Sequence, residues 1–80
     1  MLPTPEDIKK YIHAGLTCDH LEVSGDGAHF EALIVSPAFE GKRLIARHQL
    51  VYTALGDRMR DEIHALSMKT LTPDEFKAQA

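Results

Sequence analysis

One feature constrains this chain more than any other: strand, long helix and strand follow each other between Phe30 and Leu71. In "FEALIVSP", Phe30, Ala32 and Ile34 take one face of an extended segment. Leu33 and Val35 make the other face apolar toward its end, and Pro37 stops the run. The long stretch "FEGKRLIARHQLVYTALGDRMRDE" then has helical spacing, and "EIHALSMKTL" returns as a third strand rich in apolar residues. A β-α-β crossover of this kind is expected to be right-handed if its two strands lie parallel.

The flanks complete the reading. "TPEDIKKYIHAGL" opens with Thr4 as cap, Pro5 at the first helical position and Asp7 where a capping box needs an acceptor. Ile8, Tyr11, Ile12 and Leu16 form its apolar stripe, and Gly15 marks its end. In "DHLEVSGDGAHF", Leu21 and Val23 alternate with His20 and Glu22 before the turn residues "SGDG". The final "TPDEFKAQA" repeats the capping device with Thr72, Pro73 and Glu75, and Phe76 is expected to anchor a short terminal helix. In the long helix, Leu44, Val51 and Leu55 are expected on one buried face, broadened by Ile45, Tyr52 and Met59, with His48 packed and hydrogen-bonded among them. Gly56 is expected to end or kink that helix. The order is α-β-β-α-β-α, an α+β fold with a three-stranded mixed sheet and helices on one face.

Eighty residues suffice for one domain, residues 1–80, in which almost every apolar segment must serve the core. The formal net charge of −3 argues against a chain that mainly coats nucleic acid, but not against a local basic face. "MLPTPEDIKK" lacks the apolar run of a signal peptide, and "ALIV" is too short to span a membrane. The one cysteine, Cys18, cannot form an internal disulfide. A reducing, cytoplasmic setting fits these features.

Of the five histidines, none sits in a CxxC or HExxH spacing, so no metal motif stands by itself. Ser24, Asp26 and His29 share a loop, but their spacing is too local for a triad and an enzyme is not expected. Lys42, Arg43 and Arg47 cluster at the start of the long helix, where phosphate binding needs cations.

"VSGDGAHFEALIVSPAFEGKRLIARHQLVYTAL" followed by "IHALSMKTLTPDEF" resembles the BolA family, in particular its short bacterial branch. The resemblance runs from Ile8 to Phe76 and is carried by "FEGK", "RHQLVY" and "IHALSMKTLTP". It implies a fold related to class II KH domains. It also implies a role in iron–sulfur trafficking or iron homeostasis, sharing a [2Fe–2S] cluster with a monothiol glutaredoxin and glutathione. His64 matches the family's cluster ligand, and His29 is the only nitrogen candidate in the hairpin for a second. An imidazole can replace thiolate at such a cluster, and Cys18 alone cannot hold one, so the isolated chain is expected to bind none. The other reading of His64 is a histidine packed against a helix end. The family's alternative role is a DNA-binding transcriptional regulator of stress or morphology genes, gripping double-stranded DNA through a KH-like or helix-turn-helix-like basic face at Lys42, Arg43 and Arg47. Here the sequence departs from the KH pattern, since Leu44 stands where a GxxG loop has its second glycine.

Overall fold

A computed structural model describes residues 3–79. Its elements are α1 (Pro5–Gly15), β1 (His20–Gly25), β2 (His29–Val35), a 3-10 turn (Pro37–Phe39), α2 (Leu44–Leu55), α3 (Arg58–Asp61), β3 (Ala65–Leu71) and α4 (Pro73–Gln79). The sheet order is β1-β2-β3, with β1 antiparallel and β3 parallel to the central β2. The expected α+β architecture is present with two departures: the helices are not all on one face, since α4 lies against the other, and one helix is added. Gly56, at φ 60, ends α2 as its C-cap, and a separate short helix, α3, follows.

Both capping boxes form. The Asp7 N–H donates to Thr4 Oγ1 at 3.2 Å while the Thr4 N–H donates to Asp7 Oδ2 at 3.0 Å. At α4 the Glu75 N–H donates to Thr72 Oγ1 at 3.1 Å and the Thr72 N–H to Glu75 Oε1 at 2.8 Å. Each box satisfies amides that a helix start leaves open. Ala80, the last residue of the expected terminal helix, lies outside the described residues.

The core joins Ile8, Ile12 and Leu16 of α1 to Phe30, Ala32 and Ile34 of β2 and to Val51 and Leu55 of α2. Phe39 and Ile63 close its two ends. Where the hairpin turns, Gly25 is opposite Phe30 with φ 152. A Cβ there would lie 2.4 Å from the His29 carbonyl oxygen and 2.7 Å from the Phe30 ring, so only glycine fits. At the other end, buried Ser36 donates from Oγ to the Thr17 carbonyl at 2.5 Å and accepts the Ala38 N–H at 3.1 Å, tying the end of β2 to the α1–β1 loop.

Three expectations about side chains change. Leu44, Ile45 and Tyr52 are not on a buried face but 60%, 74% and 41% exposed. The helix is apolar on more than one side, and α1 and the sheet cover only the side carrying Val51 and Leu55. His48 is partly buried as expected, but its Nε2 is shut from solvent without a hydrogen-bond partner among the described residues. His64 falls outside β3, which begins at Ala65.

The sheet face away from α1 and α2 is partly roofed by α4. Phe76 provides the expected anchor by stacking on His20, with ring centroids 4.9 Å apart and planes 23° from parallel. His20 also pairs with Glu22 on the same strand. Beyond this roof, an open cleft on that face is bordered by Glu22, Ser24, Glu31, Leu33, Lys69 and Gln79.

Candidate functional site

Because β2 and β3 are parallel, their first residues share one end of the sheet. His29 opens β2 and lies opposite Ala65, which opens β3, and His64 immediately precedes Ala65. With strands about 4.8 Å apart and successive Cα atoms about 3.8 Å apart, the two histidine Cα atoms lie within roughly 9 Å of each other. Both residues are exposed. Sequence separation hid this proximity; parallel pairing creates it.

Local structure orients each histidine. Asp26 Oδ1 accepts the His29 N–H at 2.9 Å and the Ala28 N–H at 3.0 Å, and the Asp26 N–H donates to the His29 carbonyl at 3.2 Å. These backbone donors, His29 first and Ala28 next, hold the Asp26 carboxyl below its usual range. Asp26 therefore pins the strand entry and is not aimed at a serine. The His29 ring faces away from the core, as strand alternation from buried Phe30 requires, and its Nε2 is 3.5 Å from Ser67 Oγ. His64 sits in the bend between α3 and β3. Its neighbour Ile63 is 3% exposed and anchors that bend in the core. The imidazole is thus mounted on a short bend between an anchored residue and the sheet, and not on a strand as the sequence suggests.

No group of three or more histidine, cysteine, aspartate or glutamate side chains suited to hold a metal ion occurs among the described residues. Two exposed imidazoles at one end form an incomplete donor set for a metal or cluster, with no thiolate beside them. Cys18 does not supply one. It precedes β1, whose first residue lies opposite Val35 at the far end of β2. Six residue steps of roughly 3.3 Å along β2 place that end about 20 Å from His29. The Cys18 Sγ donates to the Leu16 carbonyl at 3.5 Å, and burial, with the Asp19 charge beside it, pushes its thiol pKa up.

The basic cluster belongs to that same far end, so the two candidate sites are on opposite ends of the sheet. Lys42 and Arg43 are exposed, and Arg43 is the N-cap of α2 without a side-chain cap bond. Arg47 is different. Its Nη1 donates to Glu75 Oε1 at 2.7 Å and to the Thr70 carbonyl at 3.2 Å, its Nη2 to Glu75 Oε2 at 3.4 Å, and its Nε to the Lys42 carbonyl at 2.9 Å. Its side chain is 13% exposed. Every guanidinium nitrogen of Arg47, expected among the phosphate contacts, is engaged inside the fold: Arg47 clasps α4 and the end of β3 to α2. The Glu75 carboxyl, hydrogen-bonded by Arg47 and by the Thr72 backbone, is lowered to about 2. Arg58 lies 4.1 Å over the Tyr11 ring, and Arg60 pairs with Asp57 and Asp61, so these cations also serve the fold.

Comparison with known proteins gives the setting. Residues 6–75 match the family model described as BolA-like protein. The chain is 44% identical over 79 residues to "Protein BOLA2" of Arabidopsis thaliana, covering 92% of this chain and 84% of that protein. It is 35% identical over 71 residues to "Acid stress protein IbaG" of Escherichia coli K12, covering 88% of this chain and 84% of that protein. It is 40% identical over 60 residues to "DNA-binding transcriptional regulator BolA" of Haemophilus influenzae, covering 75% of this chain and 58% of that protein. Among solved structures, a BolA homologue from Coxiella burnetii superposes with a TM-score of 0.82 at 49% identity, covering 95% of this chain and 99% of that one.

Proposed function

The chain belongs to the BolA-like family, and from that premise we propose that it is a non-enzymatic adaptor for iron–sulfur chemistry. His64, with His29 as second ligand, forms one side of a [2Fe–2S] site completed by the thiolates of a monothiol glutaredoxin and glutathione. The observation that carries the reading is the meeting of His29 and His64 at one exposed end of the sheet, with the lone cysteine at the other. A half-set of nitrogen ligands makes the cluster a property of the pair of proteins. The histidines set its potential above that of an all-thiolate site, because neutral imidazole donates less charge than thiolate.

Co-purification with a monothiol glutaredoxin, read by visible absorption and circular dichroism, tests this. The heterodimer is expected to show a cluster spectrum distinct from that of the glutaredoxin alone. His64→Ala should abolish the difference, and His29→Ala should leave a spectrum that decays faster. A heterodimer spectrum unchanged by His64→Ala would sink the assignment.

A second reading is supported by exposed Lys42 and Arg43 at the start of α2 and by one relative's name as a DNA-binding transcriptional regulator. In it, these two cations contact phosphate at a helix N-terminus. Affinity for duplex DNA should fall with salt, and a Lys42→Ala/Arg43→Ala variant should flatten the log–log salt slope by roughly 2. An unchanged slope would remove this patch from any DNA contact.

A further inference from the structure

Among the described residues the outer edge of β3 has no strand beside it, and its pattern of free peptide groups is specific. β3 pairs only with β2. The Leu71 carbonyl accepts the Ser36 N–H at 3.0 Å, so Leu71 faces β2. In a parallel ladder this orientation alternates, which turns the peptide groups of Leu66, Met68 and Thr70 to the outside. The Thr70 carbonyl already takes Arg47. The N–H and C=O groups of Leu66 and Met68 are left, with the Thr70 N–H beside them.

Beside that edge lies an apolar helix flank. Residues of a helix advance by about 100°, so Ile45 and Tyr52 lie within roughly 20° of each other and about 160–180° from Ala54. The Ala54 side carries α1, because a Cβ on Gly15 would come within 2.8 Å of it. Ile45 and Tyr52 thus occupy the flank turned away from α1, and α1 packs over β1 at the opposite side of the sheet. The exposed apolar side chains of α2 and the open edge of β3 are on the same side of the molecule. Charge differs along it. Lys42 and Arg43 have no ion-pair partner among the described residues, whereas Asp57, Asp61 and Glu62 outweigh Arg58 and Arg60 at the other end of α2.

We propose that this surface takes a second copy of the chain. Two β3 strands join antiparallel about a two-fold axis at Ser67. Leu66 of each copy then exchanges both backbone hydrogen bonds with Met68 of the other, which satisfies the free N–H and C=O groups of these two residues. On the helix-covered face Leu66 meets Met68 of the second copy, an apolar cross-strand pair. On the open face Ser67 meets its own mate, and Lys69 falls opposite Ala65, so no two cations oppose each other. The two α2 helices run antiparallel side by side. Their Ile45 and Tyr52 flanks cover one another, and the basic start of each helix faces the acidic 57–62 corner of its mate. The surface is self-complementary in hydrogen bonding, apolarity and charge. The assembly needs neither cluster nor glutaredoxin, so it stands apart from the function proposed above.

Sedimentation equilibrium of the isolated chain from about 10 μM to about 1 mM tests the proposal over the range of weak self-association. The average mass is expected to rise toward twice that of one chain, and raising the salt severalfold should weaken association severalfold. Ile45→Lys/Tyr52→Lys, at two exposed positions, should keep the far-ultraviolet spectrum and weaken association at least about tenfold. Amide exchange of Leu66 and Met68 should slow as concentration rises. A mass of one chain throughout would overturn the proposal. So would association that the double variant does not weaken, or a dimer in which these two amides exchange as in dilute solution.

Discussion

Phe30→Ala is expected to lower stability by roughly 3–5 kcal/mol, the usual cost of emptying a fully buried phenylalanine site. Phe30 is 0% exposed and stands where three elements meet. It lies opposite Gly25 on β1 and opposite Leu66 on β3, and it belongs to the cluster formed with α1 and α2. The space cannot collapse easily, because the hairpin backbone at Gly25 already touches the ring. For a domain whose total stability is of order 5–15 kcal/mol, a loss of that size is a large part of the whole. Urea denaturation should show a reduced midpoint. Leu33→Ala, at a half-buried site on the other face of β2, should cost much less. Since Phe30 follows His29, the same variant should disorder the histidine end. Equal midpoints for the two variants would refute this placing of the core.

Arg47→Ala is expected to destabilise the fold by on the order of 2 kcal/mol, through charged hydrogen bonds to two backbone carbonyls that lose their donor. Lys42→Ala and Arg43→Ala should change stability little, since both side chains are exposed. Thermal or denaturant melts therefore separate the clasp from the phosphate-contact candidates. The clasp also has a pH signature. The Glu75 carboxyl titrates at about 2 in the folded chain against 4.5 as its ordinary value. A depressed folded value means that the stabilisation is fully present above pH 4.5 and is lost as pH falls through about 2. Glu75→Gln should remove this part of the acid dependence, so the difference in stability between wild type and variant should shrink between those two limits. A difference constant with pH would show that Glu75 is not held by Arg47 in solution.

Elements were legible in the sequence wherever the signal is local. Thr4 with Asp7 and Thr72 with Glu75 mark helix starts because a short side chain can reach only the amides of its own first turn. Phe30, Ala32 and Ile34 mark a strand face because alternation is built into the extended chain. The end of α2 at Gly56 was legible for a similar reason. The buried face of α2 was not. An amphipathic reading cannot distinguish apolar residues that α1 and the sheet cover from those they leave bare, and so Leu44, Ile45 and Tyr52 were placed inside. His48 Nε2, expected to be bonded, is enclosed without a partner among the described residues, and nothing in the surrounding contacts explains it.

The candidate sites divide in the same way. His29 and His64 could be named from the sequence, but their proximity depends on the parallel register that sets His29 against Ala65. Arg47 looked equivalent to Lys42 and Arg43, since a cluster of basic letters carries no sign of which one meets a carboxylate from far along the chain. The position of Ser36 beneath the Thr17 loop had no local signal at all.

By itself, then, the sequence determined the order of helices and strands, their capped starts and the insufficiency of a single cysteine as a cluster site. Those properties depend on neighbouring residues and on counting. Tertiary structure decided which histidines share an end, which arginine is spent inside the fold and which apolar side chains remain outside. Each of these rests on contacts between residues distant in the chain, and such contacts exist only once the strand register and helix packing have formed.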